Sequence, residues 1–171
     1  MHTLIVAVAQ YGIVLVGLGA AVAWWRRAGQ DRVTMVVAGA VTLVLLFLGI
    51  KLAAHLWVDP RPFVVDHTKP MFAHPADNGF PSDHTALGVA IAGVVAFWKR
   101  RVGVVLLAVA VLVGVARVAA HVHHVPDILG GAGIGAVASV LGVLVARRAV
   151  DAWTARASAG SDESRSSVPK G

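Results

Sequence analysis

Five long apolar stretches run along the chain, at roughly Thr3 to Trp25, Val33 to Val58, Thr85 to Trp98, Val102 to Ala120 and Asp127 to Val150, separated by short polar segments. Each stretch is apolar all round instead of along one stripe, and most reach the length of about 20 residues that a helix needs to cross about 30 Å of hydrocarbon. The strands of a membrane barrel would alternate apolar and polar positions, and open sheet edges are not viable in lipid. The pattern therefore predicts an all-α fold: a polytopic membrane helical bundle of about five transmembrane helices, the third being the shortest. All five tryptophans, Trp24, Trp25, Trp57, Trp98 and Trp153, fall near predicted helix ends, where amphipathic rings favour the headgroup layer.

Composition agrees. Apolar residues make up 57% of the 171 and charged residues 14%, against about 45–50% and about 25% in soluble domains. One water-soluble core cannot absorb that excess, and no second soluble domain fits. The lack of cysteine excludes disulfides, thiolate metal sites and cysteine nucleophiles. A net charge of +6 would suggest nucleic acid in a soluble protein, but here its placement matters more. Eleven of the fifteen Lys and Arg residues follow the first, third and fifth helices, which predicts that those ends are cytoplasmic. The N-terminus is then outside and the C-terminus cytoplasmic, with the loop from Asp59 to Pro81 and the turn from Arg117 to Pro126 facing outward. No cleaved signal peptide is expected, because the basic residues follow the first apolar run instead of preceding it.

Residues 1–154 are expected to form the transmembrane domain, and residues 155–171, rich in serine, glycine and charge, a disordered cytoplasmic tail. Gly131, Gly135 and Ser139 recur every four residues in the fifth helix, a small-residue stripe suited to close packing inside the bundle, with homo-oligomerisation as its lesser use.

Most titratable groups gather on the outward side: seven of eight histidines (His55, His67, His74, His84, His121, His123, His124) and five of nine acidic residues (Asp59, Asp66, Asp77, Asp83, Asp127). Three clusters stand out. Arg61, between Pro60 and Pro62, sits on a stiff turn as a planar fork suited to phosphate oxygens. It could equally pair with a lipid headgroup. Pro81-Ser82-Asp83-His84 opens the third helix; Ser82 or Asp83 can simply cap it, while free amides, a hydroxyl and an imidazole there can also hold an anion and move a proton. The third cluster is Arg117, His121, His123, His124 and Asp127. A carboxylate four residues after His123 can fix its tautomer and leave the other nitrogen free to attack. Three histidines with an aspartate could alternatively ligate zinc. Lys51 and Arg117, late in their helices, are costly in lipid and either face a partner or snorkel.

On these clusters the chain resembles the type 2 phosphatidic acid phosphatase superfamily, whose members cleave phosphate esters through a phosphohistidine. The family order is kept: Lys51 then Arg61-Pro62, Pro81-Ser82-Asp83-His84, and Ala116-Arg117 followed by His123 and Asp127. Three positions depart from it. Lys51 lies three residues before the family lysine position, here Ala54; Ala116 replaces a serine; and Asp83 replaces a glycine. The last change, with Asp59-Pro60-Arg61-Pro62-Phe63 and Gly79-Phe80-Pro81-Ser82-Asp83-His84, is similar to the bacitracin-resistance type of bacterial undecaprenyl diphosphatase.

The resemblance implies a lipid diphosphate substrate, a bacterial plasma-membrane enzyme and catalysis without a metal or other cofactor. It assigns His123 as nucleophile oriented by Asp127, His84 as acid and base, and Arg61, Arg117, Ser82 and Lys51 as phosphate binders. Asp83, His121 and His124 are secondary candidates. A phosphatidic acid or phosphatidylglycerophosphate phosphatase is the related alternative, and an anionic-lipid-binding membrane protein the non-enzymatic one.

Overall fold

The computed structural model describes residues 1–166, with side chains described to Ser158. Six helices follow in order: α1 (His2–Trp25), α2 (Gly29–Leu56), the single turn α3 (Pro62–Val65), α4 (Asp83–Trp98), α5 (Arg100–Ala119) and α6 (Val125–Ser166). The five apolar stretches thus each become a helix, and the unforeseen element is α3. Four of the helices are long and apolar enough to span a membrane, and α4 is the shorter apolar one. Helix α6 is described to Ser166, inside the stretch expected as a tail from residue 155; residues 167–171 of that tail lie outside the described residues.

Helix α4 is the centre of the bundle and packs against α1, α2, α5 and α6. At about 1.5 Å per residue its 16 residues rise only about 24 Å, less than the hydrocarbon thickness. Its neighbours screen it from lipid, so it need not cross the membrane by itself. Its interior positions are mostly small, including Ala86, Gly88, Ala90 and Ala92, which lets four helices approach one. Large side chains such as Leu15, Leu48, Leu112 and Leu144 point outward. That inverted arrangement suits a lipid solvent, where helix association comes from close packing.

The small-residue stripe of α6 is used inside the bundle. A Cβ on Gly131 would stand 2.6 Å from the Ser82 carbonyl oxygen, and one on Gly135 would collide with the backbone of Ala86 and Ala90. These two glycines bring α6 against the start of α4, where the second motif lies.

The two ends of the bundle differ. At one, Arg27 donates to the Trp98 carbonyl, Arg27 pairs with Asp31 at 3.2 Å, and the Arg147 guanidinium stands 5.8 Å from the Trp98 ring centre. Gly29, with φ +58°, turns the chain there between α1 and α2, a backbone shape that other residues rarely take. At the other end the 59–82 segment folds back on the bundle through an antiparallel bridge between Pro60 and Asn78.

A side chain at Gly135 should overpack the α4–α6 contact. Gly135→Val is expected to cost about 1–3 kcal/mol and to lower the thermal unfolding midpoint in detergent. Gly133→Val is the control, since a Cβ there meets nothing within 4 Å and should leave the midpoint nearly unchanged.

Candidate active site

The three motifs converge at the end of the bundle away from the Arg27–Trp98 contact. Their centre is His123, in the turn between α5 and α6 and only 4% exposed. Its Nδ1 lies 3.1 Å from Oδ2 of Asp127, which is fully buried in the first turn of α6. The same carboxylate oxygen accepts from the His124 amide at 2.9 Å, fixing the turn. On the opposite side of the ring, Nε2 faces two guanidinium nitrogens: Arg61 Nη1 at 3.3 Å and Arg117 Nη2 at 3.2 Å. Arginine only donates, so Nε2 accepts and the ring proton sits on Nδ1, pointing at Asp127. His123 is a neutral imidazole with its lone pair facing the cations.

Each guanidinium is held in turn. Arg61 Nε donates to Asp77 at 2.8 Å, its Nη1 also donates to the Val122 carbonyl at 2.7 Å, and its Nη2 reaches the Asn78 carbonyl at 3.5 Å. Arg117, in the last turn of α5, donates through Nη1 to the Ala9 carbonyl at 3.3 Å. Ala9 lies about two turns inside α1, so the site is recessed from the bundle end. Nη2 of Arg117 is also 3.0 Å from Nε2 of His74, whose Nδ1 contacts the Pro75 carbonyl at 3.3 Å.

Burial lowers the His123 pKa below its ordinary value; the hydrogen bond to Asp127 opposes this, and the charges of Arg117 and Arg61 reinforce it. Burial and the charge of Arg61 lower His74 in the same direction. For Asp77, burial would raise the carboxyl, but the hydrogen bond and charge of Arg61 prevail and hold it below its usual range. The three loop groups thus match a cationic pocket.

A cavity of about 230 Å³ opens over His123, lined among others by Lys51, Ala54, Arg61, His74, Asp83, His84 and Arg117. Helix α4 brings Asp83 and His84 to it in its first turn. Ser82 lies behind the wall: it is fully buried, its amide donates to the Asp127 carbonyl at 3.0 Å, and its Oγ accepts from Thr85 at 3.1 Å. No side-chain cap bond forms at this helix start, so the capping role open to Ser82 or Asp83 is not taken. Lys51 lines the cavity one helical turn from Ala54, with Nζ 5.6 Å from the Phe47 ring centre.

Not every candidate joins the site. His121, at φ 59°, faces a separate cavity with His2, Lys69, Pro70 and Met71. The zinc set of three histidines and Asp127 is therefore not assembled. His124 turns away from the main cavity to Asp59, 3.1 Å from Nδ1 to Oδ2. Conversely His74, Asp77, Asn78 and Asp59 enter although sequence reasoning gave them no role. The signal for His74 and Asp77 was their place on the outward side with the motifs; for Asn78, which bonds Asp59, Phe80, Ala54 and Trp57, there was none.

A family model of the PAP2 superfamily matches residues 32–151. The chain belongs to this superfamily. Undecaprenyl-diphosphatase BcrC of Bacillus subtilis is 30% identical over 147 residues, 86% of this chain and 74% of that protein. Putative undecaprenyl-diphosphatase YbjG of Escherichia coli is 34% identical over 133 residues, covering 77% and 66%. The crystal structure of Aquifex aeolicus LpxE shares the fold, with a TM-score of 0.63 at 24% identity over 83% of this chain and 84% of that one. This PAP2 protein is thus a multi-pass membrane member of a phosphatase superfamily.

A group that attacks as a free base stays active until it is protonated. As the attacking base proposed below, His123, with its pKa lowered, should remain competent below pH ~6.5, the ordinary histidine value, and the acid limb of the kcat/KM profile should fall under that pH. Arg117→Gln should shift the limb upward by removing a lowering charge, whereas Arg117→Lys should leave it nearly in place.

Proposed function

We propose that this protein hydrolyses undecaprenyl diphosphate to undecaprenyl phosphate at the outer face of a bacterial plasma membrane, through a phosphohistidine at His123. One observation carries the reading: a buried neutral imidazole, its Nδ1 on Asp127, directs Nε2 between two guanidiniums. A phosphate group in the cavity would take those donors onto its oxygens and meet the lone pair directly.

In the first step Nε2 of His123 attacks the terminal phosphorus, and the bond from phosphorus to the bridging oxygen breaks. Arg61 and Arg117, with the ammonium of Lys51, hold the non-bridging oxygens as charge develops; Ser82, buried behind the cavity wall, takes no oxygen. His84 gives a proton to the departing lipid monophosphate. In the second step His84 takes a proton from water, the hydroxide attacks phosphorus, and the phosphorus–nitrogen bond breaks to release inorganic phosphate. Asp127 keeps His123 in the reactive tautomer throughout. Asp83, exposed on the cavity rim, adds negative charge near the site and contributes to substrate choice. His121 and His124 take no chemical step.

Two observations support the lipid carrier over other phosphate esters: the relatives named as undecaprenyl-diphosphatases, and the gathering of basic residues away from the site, which is the pattern expected of an outward-facing site.

The test is phosphate release by detergent-purified protein in excess EDTA, with undecaprenyl diphosphate compared against phosphatidic acid. Chelator-resistant release that favours the prenyl diphosphate is expected. His123→Ala should abolish turnover, and Asp127→Asn, which imposes the wrong tautomer, should cost about 10⁴-fold in kcat. Loss of one arginine donor should cost about 10²–10³-fold. A preference for phosphatidic acid would overturn the substrate assignment and leave the mechanism. Lipid binding without turnover, unaffected by His123→Ala, would identify an anionic-lipid-binding protein instead.

A further inference from the structure

The segment 71–78 meets both arginines of the cavity, and it meets them differently. Asp77 accepts from Arg61 with a carboxylate at 2.8 Å, whereas His74 accepts from Arg117 with an imidazole nitrogen at 3.0 Å. Arg61 also has the carbonyls of Val122 and Asn78. Arg117 has less. Among the described residues no carboxylate pairs with it, its Nε is buried without an acceptor, and its one carbonyl partner, Ala9, accepts at 3.3 Å. The direction of this buried guanidinium therefore depends mainly on Nη2, which lies between Nε2 of His74 and Nε2 of His123.

His74 is delivered to this contact by its own segment. The Met71 amide donates to the Ala120 carbonyl at 3.1 Å. Met71 and Phe72 pack on a buried cluster that includes Ala116, the neighbour of Arg117 in α5, and Ala9, its carbonyl acceptor in α1. The Phe72 ring centre then stands 6.1 Å from that of His74. Because arginine only donates, Nε2 of His74 accepts, and the ring proton sits on Nδ1, 3.3 Å from the Pro75 carbonyl oxygen. His74 is a neutral acceptor.

The chemistry of that acceptor matters. A carboxylate in its place would hold Arg117 as firmly, but it would also neutralise the guanidinium, and an arriving anion would have to displace an ion pair. An imidazole fixes direction alone. It leaves the charge of Arg117 uncompensated at a cavity that His74 itself lines.

We propose that His74 is a positioning residue, a neutral acceptor that aims Arg117 beside His123 Nε2 without neutralising it. The assignment rests on the reading of this cavity as a phosphate site. It gives the two arginines different parts: Arg61, paired with Asp77, is chiefly a directed donor, and Arg117 supplies the net positive charge.

The experiment compares His74→Ala, His74→Gln and His74→Glu in the full chain in detergent. It reads kcat and KM for undecaprenyl diphosphate, and the binding of inorganic phosphate by titration calorimetry. His74→Ala removes the acceptor and should lower kcat/KM about 10²-fold, the scale of a small misplacement at a reacting centre. His74→Gln offers Arg117 a neutral oxygen and should recover most of that loss. His74→Glu has the same shape with a charge added, and should raise KM and weaken phosphate binding about tenfold relative to His74→Gln. Because these two variants differ in charge alone, a folding defect common to both leaves the comparison intact. In an Arg117→Gln background, with no guanidinium to aim, His74→Ala should cost less than about threefold more. Parent-like activity and phosphate binding in His74→Ala overturn the proposal, as does a Glu variant equal to the Gln variant. So does an undiminished loss from His74→Ala in the Arg117→Gln background, which would make His74 act without Arg117. If the parent binds inorganic phosphate and hydrolyses no lipid phosphate, the proposed function fails, and the phosphate affinities of the three variants still decide the role of His74. A parent that neither hydrolyses lipid phosphate nor binds phosphate overturns both.

Discussion

Two guanidiniums converging on one imidazole nitrogen in a chain of low charge is the constraint around which this protein is built. Buried like charges repel strongly where water is scarce, so Arg61 and Arg117 stay in place only because fixed acceptors surround them. The Asp77 carboxylate, the carbonyls of Val122 and Ala9, and His74 each take part of that load. Those acceptors come from α1, the 59–82 segment and the turn before α6. Positive charge remains in excess over the cavity, and the phosphate of the proposed reaction would relieve it. The arrangement is preorganised for an anion, with the donors already aimed at the place where charge would develop.

The scaffold supplies rigidity by close packing of small residues. Gly131 and Gly135 let the backbone of α6 lie against α4, which places the Ser82 amide on the Asp127 carbonyl at 3.0 Å. Two motifs about 40 residues apart in the chain are thereby joined by backbone, and neither depends on a flexible side chain for its position. A short central helix helps for the same reason. Helix α4 brings Asp83 and His84, in its first turn, to a cavity lined by α2, the end of α5 and the 59–82 segment. A site on rigid elements holds its geometry better than one on loops, and here the loop residues that enter the site are fastened to α2 through Asn78 and to the turn before α6 through Arg61.

Most of the architecture was legible in the sequence. Runs of about 20 apolar residues have one economical solution in lipid, so helix number, type and approximate ends follow from hydropathy and length alone. The small-residue stripe of α6 was legible too, because only close backbone approach makes such spacing useful. Motif order and spacing also placed Arg61, His84, Arg117, His123 and Asp127 at one end of the bundle, since alternate helix ends must share a side.

What the sequence could not decide is which groups in the 59–82 segment and the turn before α6 turn inward. Neither carries a periodic pattern, so no face is marked as buried. His74 and His121 look equivalent there as outward histidines, yet one bonds Arg117 and the other faces a different cavity. His124 and His123 are adjacent, and only the turn geometry sends one to Asp59 and the other to the guanidiniums. The tertiary structure decided these pairings, because His74 and Arg117, His123 and Arg61, and His124 and Asp59, 43 to 65 residues apart, meet only after the helices have packed. By itself, the sequence determined the membrane bundle and the residues from which a phosphate site can be made: both follow from local composition and spacing. The partner and orientation of each of those residues depended on contacts between segments that no local pattern encodes.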